Sequence, residues 1–364
     1  MQITDFQSIR PPFESKQEET LDWLVEAHAM AEGNQEFRSS IRKKLWLVGC
    51  KPEHIEKRGH VLPDFNHTQW EKMEIYRLHE SPEGKNVSAR ANVFEDEVDK
   101  VFEAYYPEGS TPPDDLIHVT CTGYISPSGA QKVISKRNWG VNTTVTHAYH
   151  MGCYGSIPAI RMGKGFLASD PSKKRIDIVH TELCSLHSNP AMHRLDQLVS
   201  QSLFADGFMK YSIVKETDQP HIKLIRTREE IIPNSINAMT WNVADWGFEM
   251  SLSKEVPVLI RRFLPGYLER LGIEPREKLI FAIHPGGPKI LNYIQDLLHL
   301  EDWQMHYSFE VLKNYGNMSS ATVPHIWEKI LKDPEILSGT KIISLAFGPG
   351  LSTSGTLMEK VCGS

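Results

Sequence analysis

Cysteine is scarce in this chain: five residues in 364, at Cys50, Cys121, Cys153, Cys184 and Cys362. The number is odd and no paired spacing recurs, which argues against a disulfide scaffold or a zinc knuckle and predicts reduced thiols in the cytoplasm. Basic excess is missing as well. The formal charge of −6 argues against general nucleic-acid binding and leaves room for a local cationic patch serving an anionic ligand. No run approaches the ~20 apolar residues that cross a bilayer, and the opening Met1-Gln-Ile-Thr-Asp-Phe lacks a basic stretch ahead of an apolar one, so no membrane attachment is expected. Low-complexity tracts are wanting too: 40% apolar residues, 24 glycines and 22 prolines describe an ordinary globular chain.

A chain of 364 residues exceeds the ~250–300 at which one core stops growing, so two cores or two fused halves are expected. Helical spacing predicts helices over residues 21–31 and 93–106. In the second, Val93, Phe94, Val98, Val101, Phe102 and Tyr105 form a stripe that reads as core packing rather than a ligand surface. Strands are predicted over residues 116–120, 175–180, 208–214, 278–283 and 341–346, with helices over 193–204 and 290–298. Strand, turn and helix alternate in both parts of the chain. That pattern is a duplicated βαβ plan of the α/β class, with reactive loops at strand ends and a boundary within residues 210–235.

Three side chains stand where a predicted strand gives way to a glycine-marked turn. Their settings are His147-Ala-Tyr-His-Met-Gly-Cys153-Tyr-Gly, Phe281-Ala-Ile-His284-Pro-Gly-Gly-Pro and Asn314-Tyr-Gly-Asn317-Met-Ser-Ser. Each has a plain structural reading. Free cysteine is commonly a small buried apolar residue, a histidine among sixteen is commonly structural, and asparagine commonly caps a helix. Together they supply a nucleophile, a base and an amide donor. A helix starting just past Cys153 aims its free N–H groups at the sulfur and favours thiolate, and His284 is a suitable activating partner. The turn at Gly286 and Gly287 lacks the lysine and serine or threonine of a P-loop, which rules against a nucleotide hydrolase.

With these residues on the page, the chain resembles the type III polyketide synthases, the chalcone synthase-like family of thiolase-like condensing enzymes. The motifs are Cys121-Thr-Gly-Tyr-Ile-Ser-Pro-Ser-Gly, His150-Met-Gly-Cys153, Ser202-Leu-Phe204-Ala-Asp-Gly, His284-Pro-Gly-Gly-Pro, Tyr315-Gly-Asn317-Met-Ser-Ser-Ala and Phe347-Gly-Pro-Gly. They span residues 115–355, and the wording of His180-Thr-Glu-Leu-Cys-Ser-Leu-His is closer to bacterial members than to plant ones. The first hundred residues match weakly. The resemblance implies a thiolase-like duplicated layered αβαβα fold, its half at 1–220 carrying the cysteine and its half at 221–364 carrying the histidine and asparagine. It implies that Cys153 accepts an acyl group from coenzyme A while His284 and Asn317 stabilise the enolate left when malonyl-CoA loses carbon dioxide.

The same resemblance makes Phe204 an aromatic gate, puts Cys121 on the chamber wall, and lets Cys184, Leu186 and His187 shape it. Met250 stands where plant members carry phenylalanine at a second gate. A flexible thioether there accommodates varied acyl shapes and favours an aliphatic starter. Lys51, Lys57, Arg58 and Lys289 are the candidate contacts of the coenzyme A phosphates, and the plain reading of each is a solvated surface charge. No metal or organic redox cofactor is implied. The expected partners are an acyl-CoA starter, malonyl-CoA and a second copy of the chain, with the loop over residues 124–129 beside the partner's chamber. The competing readings are a carrier-protein-dependent ketosynthase that condenses once, a cysteine hydrolase, for which the papain-like Cys-Gly-Ser-Cys-Trp setting is lacking, and an acyl-binding protein without turnover.

Overall fold

A strand covered on both faces needs apolar residues at every position, and the runs at 116–119, 280–283 and 342–347 supply them. The computed structural model describes residues 1–34, 36–273 and 278–363. Its strands are β1 (Gln2–Ile9), β2 (Phe13–Lys16), β3 (Lys57–His60), β4 (Asp115–Thr120), β5 (Thr144–Tyr149), β6 (Arg175–Leu183), β7 (Asp206–Val214), β8 (His221–Ile231), β9 (Met239–Val243), β10 (Phe248–Leu252), β11 (Ile280–Ile283), β12 (Lys341–Gly348) and β13 (Ser352–Val361). Nine of them hydrogen-bond in the order β11-β12-β13-β8-β1-β7-β6-β4-β5, while β9 with β10 and β2 with β3 form two hairpins.

The order repeats about its middle. From β1 outward the sheet runs β7, β6, β4, and from β8 outward it runs β13, β12, β11. In each wing the two outer strands of that series pair in parallel and the inner ones antiparallel. Within the sheet, among the described residues, the wings join through the short β1 to β8 contact at Gln2 with Lys223 and Ile3 with Ile222.

Alternation along the strands then sorts side chains between layers. Ile117, Val119, Ile176 and Ile178 of one wing share a central core with Ile280, Ala282, Ile342 and Ala346 of the other. The helices Ser156–Ser169 and Thr322–Lys332 contribute Ile157, Ile160, Ile326 and Trp327 to that core, so the two wings enclose them. The opposite-facing Leu116, Val179 and Leu183 pack under the amino-terminal helices, and Phe281, Ile283, Ile343 and Leu345 under the helices Val256–Leu271, Pro288–Leu298 and Asp302–Tyr315. Helix, sheet, helix, sheet and helix layers follow, a mixed α/β fold of the thiolase-like layered kind.

The stripe expected over residues 93–106 lies on the helix Val87–Tyr105 and is core, with Phe94, Val98 and Phe102 fully buried. Two expectations shift. The helix expected over residues 193–204 spans Leu195–Leu203, and Phe204 leaves it with extended backbone, φ −73° and ψ 147°. The first hundred residues, read as helical, also supply β1, which sits at the junction of the wings.

Candidate active site

Cys121 and Cys184 directly follow the carboxyl ends of β4 and β6, and Cys153 follows β5 by four residues. These three strands are neighbours, β4 lying parallel to both others, so the topology gathers three thiols at one end of one wing. Ligands of open α/β sheets bind at such ends. The chain turns into Cys153 through Gly152, whose φ of +81° is left-handed and whose absent Cβ would stand 2.6 Å from Cδ of Pro349. The Gly152 N–H donates to Cys121 Sγ at 2.9 Å. The helix Ser156–Ser169 begins one turn on, with Pro158 in its first turn, where proline is tolerated.

Burial decides the state of the resting thiol. Cys153 is pushed up to about 12, first by desolvation and then by the buried carboxyl of Glu182, against smaller opposing contributions from Ser319 and Asn317. Burial thus works against the thiolate that the helix end favours, because an unsolvated anion is costly. His284 is likewise buried and driven down to about 3 by desolvation, so its imidazole is neutral, and both ring nitrogens lack a hydrogen-bond partner.

Asn317 stands 4.0 Å from Cys153, measured from Oδ1 to Sγ. The Ser319 N–H donates to that Oδ1 at 2.9 Å, and because an N–H can only donate, the amide is oriented with Nδ2 left as donor. Backbone bonds join this turn to the segment around Phe204: Asn317 N–H to Leu203 O at 3.0 Å and Ala205 N–H to Asn317 O at 2.8 Å. His284 follows the last residue of β11 and donates its main-chain N–H to Leu345 O at 2.8 Å. A Cβ on Gly287, in the turn that follows, would face Leu203 at 3.8 Å, which places the histidine loop against the same Leu203–Phe204 segment.

Cys153 opens on a cavity of about 330 Å³ lined by Cys121, Cys184, Phe204, Met239, Trp241, Met250 and Ser319 among others. A second cavity of about 600 Å³ shares Cys184, Phe204, Trp241 and Met250 with it and continues past His187, Phe248, Ser185, Gln201 and Arg58. Of the residues expected at the chamber, Leu186 lines neither: it is fully buried in the amino-terminal core. The reason is the 3₁₀ turn Cys184–His187, whose three-residue period turns the first and last residues to the cavity and the intervening leucine away. His187 stacks on Phe248 at 4.4 Å, bonds Thr122 O through Nε2 and accepts the Phe248 N–H at Nδ1, which sets its neutral tautomer.

The basic candidates separate. Lys51 and Lys289 are exposed, and Lys57 pairs with Glu14 at 2.7 Å. Arg58 instead turns inward, 5% exposed, with Nη1 donating to Gln201 O and Phe204 O. Sequence reading missed Trp241, which lines both cavities and donates Nε1–H to Cys121 O at 2.6 Å. The alternation of the β9 and β10 hairpin was the available signal. Trp241 and Met250 are cross-strand partners, and Met239 and Phe248 lie two residues from them on the same face.

Residues 223–362 match the family model of chalcone and stilbene synthases, C-terminal domain. The chain is 29% identical over 272 residues to type III polyketide synthase 21 of Oryza sativa subsp. japonica, covering 70% of this chain and 69% of that one. It is 30% identical over 260 residues to probable polyketide synthase 1 of Dictyostelium discoideum, covering 68% of this chain but only 8% of that much longer protein. In fold it is similar to the C-terminal type III polyketide synthase domain of Steely1, a type I/III hybrid from Dictyostelium, with TM-score 0.83, 23% identity and 99% of both chains covered. It is also similar to 1,3,6,8-tetrahydroxynaphthalene synthase from Streptomyces coelicolor A3(2), with TM-score 0.82, 21% identity and 99% of both chains covered. Residues 223–362 thus match the chalcone and stilbene synthase C-terminal domain, and the whole chain is similar in fold to type III polyketide synthases.

Proposed function

We propose that this chain is an acyltransferase that extends an acyl-CoA starter with malonyl-CoA by repeated decarboxylative Claisen condensation and cyclises the tethered poly-β-keto chain to a pyrone, resorcinol or related ring. The observation that carries the proposal is the buried Cys153 thiol at a cavity wall, 4.0 Å from Oδ1 of Asn317, whose amide keeps Nδ2 as a donor. In loading, the Cys153 proton passes to neutral His284, the sulfur attacks the thioester carbonyl, and coenzyme A leaves with a proton. Loss of carbon dioxide from malonyl-CoA moves an electron pair toward the thioester oxygen. The Asn317 amide and an uncharged His284 N–H are fixed donors for that enolate and need no solvent reorganisation. The resulting carbanion attacks the Cys153 thioester carbonyl and expels the sulfur as thiolate, which takes a proton from solvent; the β-ketoacyl-CoA so formed reloads onto Cys153, releasing coenzyme A, for the next round.

The exposed Lys51 and Lys289 are available to the coenzyme A phosphates, and Lys57 becomes so by releasing Glu14. A homodimer brings the exposed Tyr124 loop to a partner chamber. No described helix is long and apolar enough to cross a membrane.

The test uses acyl-CoA and malonyl-CoA with no carrier protein, reading Cys153 acylation and product by mass spectrometry. Carbon dioxide release with chain extension is expected; prompt release of free acid would instead indicate a hydrolase, and acylation only from a carrier would indicate the single-step ketosynthase. Asn317→Ala is expected to lower decarboxylation and condensation ~10²–10³-fold while leaving initial loading largely intact. Equal loss of loading would refute the donor role.

A further inference from the structure

Two arginines are buried in this wing, and they differ. Arg90 is 1% exposed and spends its guanidinium on the carbonyls of Lys85, Glu83, Leu186 and Ser188. Arg58 is equally enclosed, yet only its Nη1 is engaged, on the two carbonyls where the helix Leu195–Leu203 ends. Its Nε and Nη2 are buried without a partner. Among the described residues no carboxylate forms an ion pair with it within 4.0 Å. The nearest carboxyl influence is Asp206, whose oxygens are already taken by Val61 N–H, Ser185 N–H and Ser185 O–H at 2.6–2.7 Å. Burial also raises Asp206 to about 7, which weakens it as a counterion at neutral pH, while Arg58, lowered to about 10, stays charged. A buried cation with free donors and no counterion is costly, and one carboxylate satisfies both needs through charge-assisted bonds.

Arg58 lines the larger cavity, whose near wall of Cys184, Phe204, Trp241 and Met250 is also the wall of the Cys153 chamber. The other polar groups around Arg58 are already spent: Gln197 on Met250 O, Gln201 on Asn189 O and His28, Ser200 on Asp196 O. We propose that the larger cavity receives the far end of the starter acyl chain and that Arg58 binds a carboxylate carried there, which makes the preferred starter the half-thioester of a dicarboxylic acid. This rests on the reading of Cys153 as the acyl acceptor. The chain must pass the Phe204 and Cys184 wall to reach Arg58, so a diacid longer than malonyl is required.

The experiment compares adipyl- and suberyl-CoA with hexanoyl- and octanoyl-CoA, reading Cys153 acylation by intact-protein mass spectrometry and, separately, product formation with malonyl-CoA. Loading is read without condensation, so failure of the polyketide chemistry and failure of this inference are distinguishable. Wild type is expected to load each carboxylated starter at least tenfold faster, in kcat/KM, than its methyl-ended counterpart. In Arg58→Met that ratio falls to about one, with the loss confined to the carboxylated starters, and Arg58→Lys restores part of it. Thermal unfolding of both variants separates this from misfolding, since an unfolded variant loses loading of every starter. The same acyl groups on N-acetylcysteamine, which carries no phosphate, distinguish the tail from the coenzyme. The preference persists if Arg58 reads the tail. An equal rise in KM for all coenzyme A thioesters, absent with N-acetylcysteamine thioesters, would assign Arg58 to the coenzyme phosphates and overturn the proposal, as would equal loading of the two series by wild type.

Discussion

The chemistry of Cys153 turns on a contest between dipole and desolvation, and desolvation wins at rest. A thiol held up at about 12 gains thiolate tenfold per pH unit below that value, so alkylation of Cys153 by iodoacetamide in the ligand-free protein should climb about tenfold per unit from pH ~6 to ~9 without a plateau. Peptide mass spectrometry resolves Cys153 from the other thiols. A plateau below pH ~8 would demonstrate a resting thiolate and imidazolium pair instead. Cys153, His284 and Asn317 were legible because each lies in a distinctive glycine-marked motif; the strand expected before each holds for Cys153 and His284, whereas Asn317 follows the helix Asp302–Tyr315 and its cap Gly316. Trp241 was missed although the alternation of its hairpin put it on one face with Met239, Met250 and Phe248, because which cavity that face covers is set by distant segments. Arg58 was legible as a cation and its burial was not: charge is written in the sequence, but burial is a property of the surrounding packing.

At the scale of elements, the turn 150–155 is the most constrained part of the site. His150 and Gly152 both take positive φ, the glycine lies against Pro349, and Gly348 has no room for a side chain because Tyr154 would stand 2.1 Å from its Cβ. Gly152→Ala therefore meets a left-handed backbone and a 2.6 Å contact together, and should cost at least ~1–2 kcal/mol of stability, with kcat falling as Cys153 shifts. A differential unfolding experiment that finds the variant as stable as wild type would show that Pro349 yields freely. Strands with unbroken apolar runs were readable at this scale. The sheet strand β8, His-Ile-Lys-Leu-Ile-Arg-Thr-Arg-Glu-Glu-Ile, was not, because much of it is solvent-facing and its charges hide the period. Phe204 was placed inside a helix because nothing local ends that helix; its release comes from the Asn317 backbone, 113 positions on in the chain.

For the whole molecule, the interior stores an unusual number of neutral imidazoles. His118, His180, His187 and His284 are depressed to about 3, and His28 and His60 to about 4, in each case chiefly by burial. Their unfolded value is 6.5, so below that pH the unfolded chain binds more protons than the folded one, and stability falls as pH drops from 6.5 toward 4 and on to 3. Asp206, raised to about 7, acts in the opposite sense, contributing stability that is lost as pH rises from 3.8 through 7. Six bases outweigh it, so the urea midpoint should drop steeply between pH 6.5 and 4 with uptake of several protons; a flat profile there would contradict neutral burial. The amino-acid sequence by itself determined the α/β class, the duplicated rhythm and the identity of thiol, imidazole and carboxamide, because periodicity and motif are local. Only the tertiary structure decided that Cys153 is enclosed beside the buried Glu182, that Leu186 faces the core, and that Arg58 is enclosed with free donors. Those facts depend on which distant segments exclude water from each side chain, and solvent exclusion is set by the packing of layers rather than by neighbours along the chain.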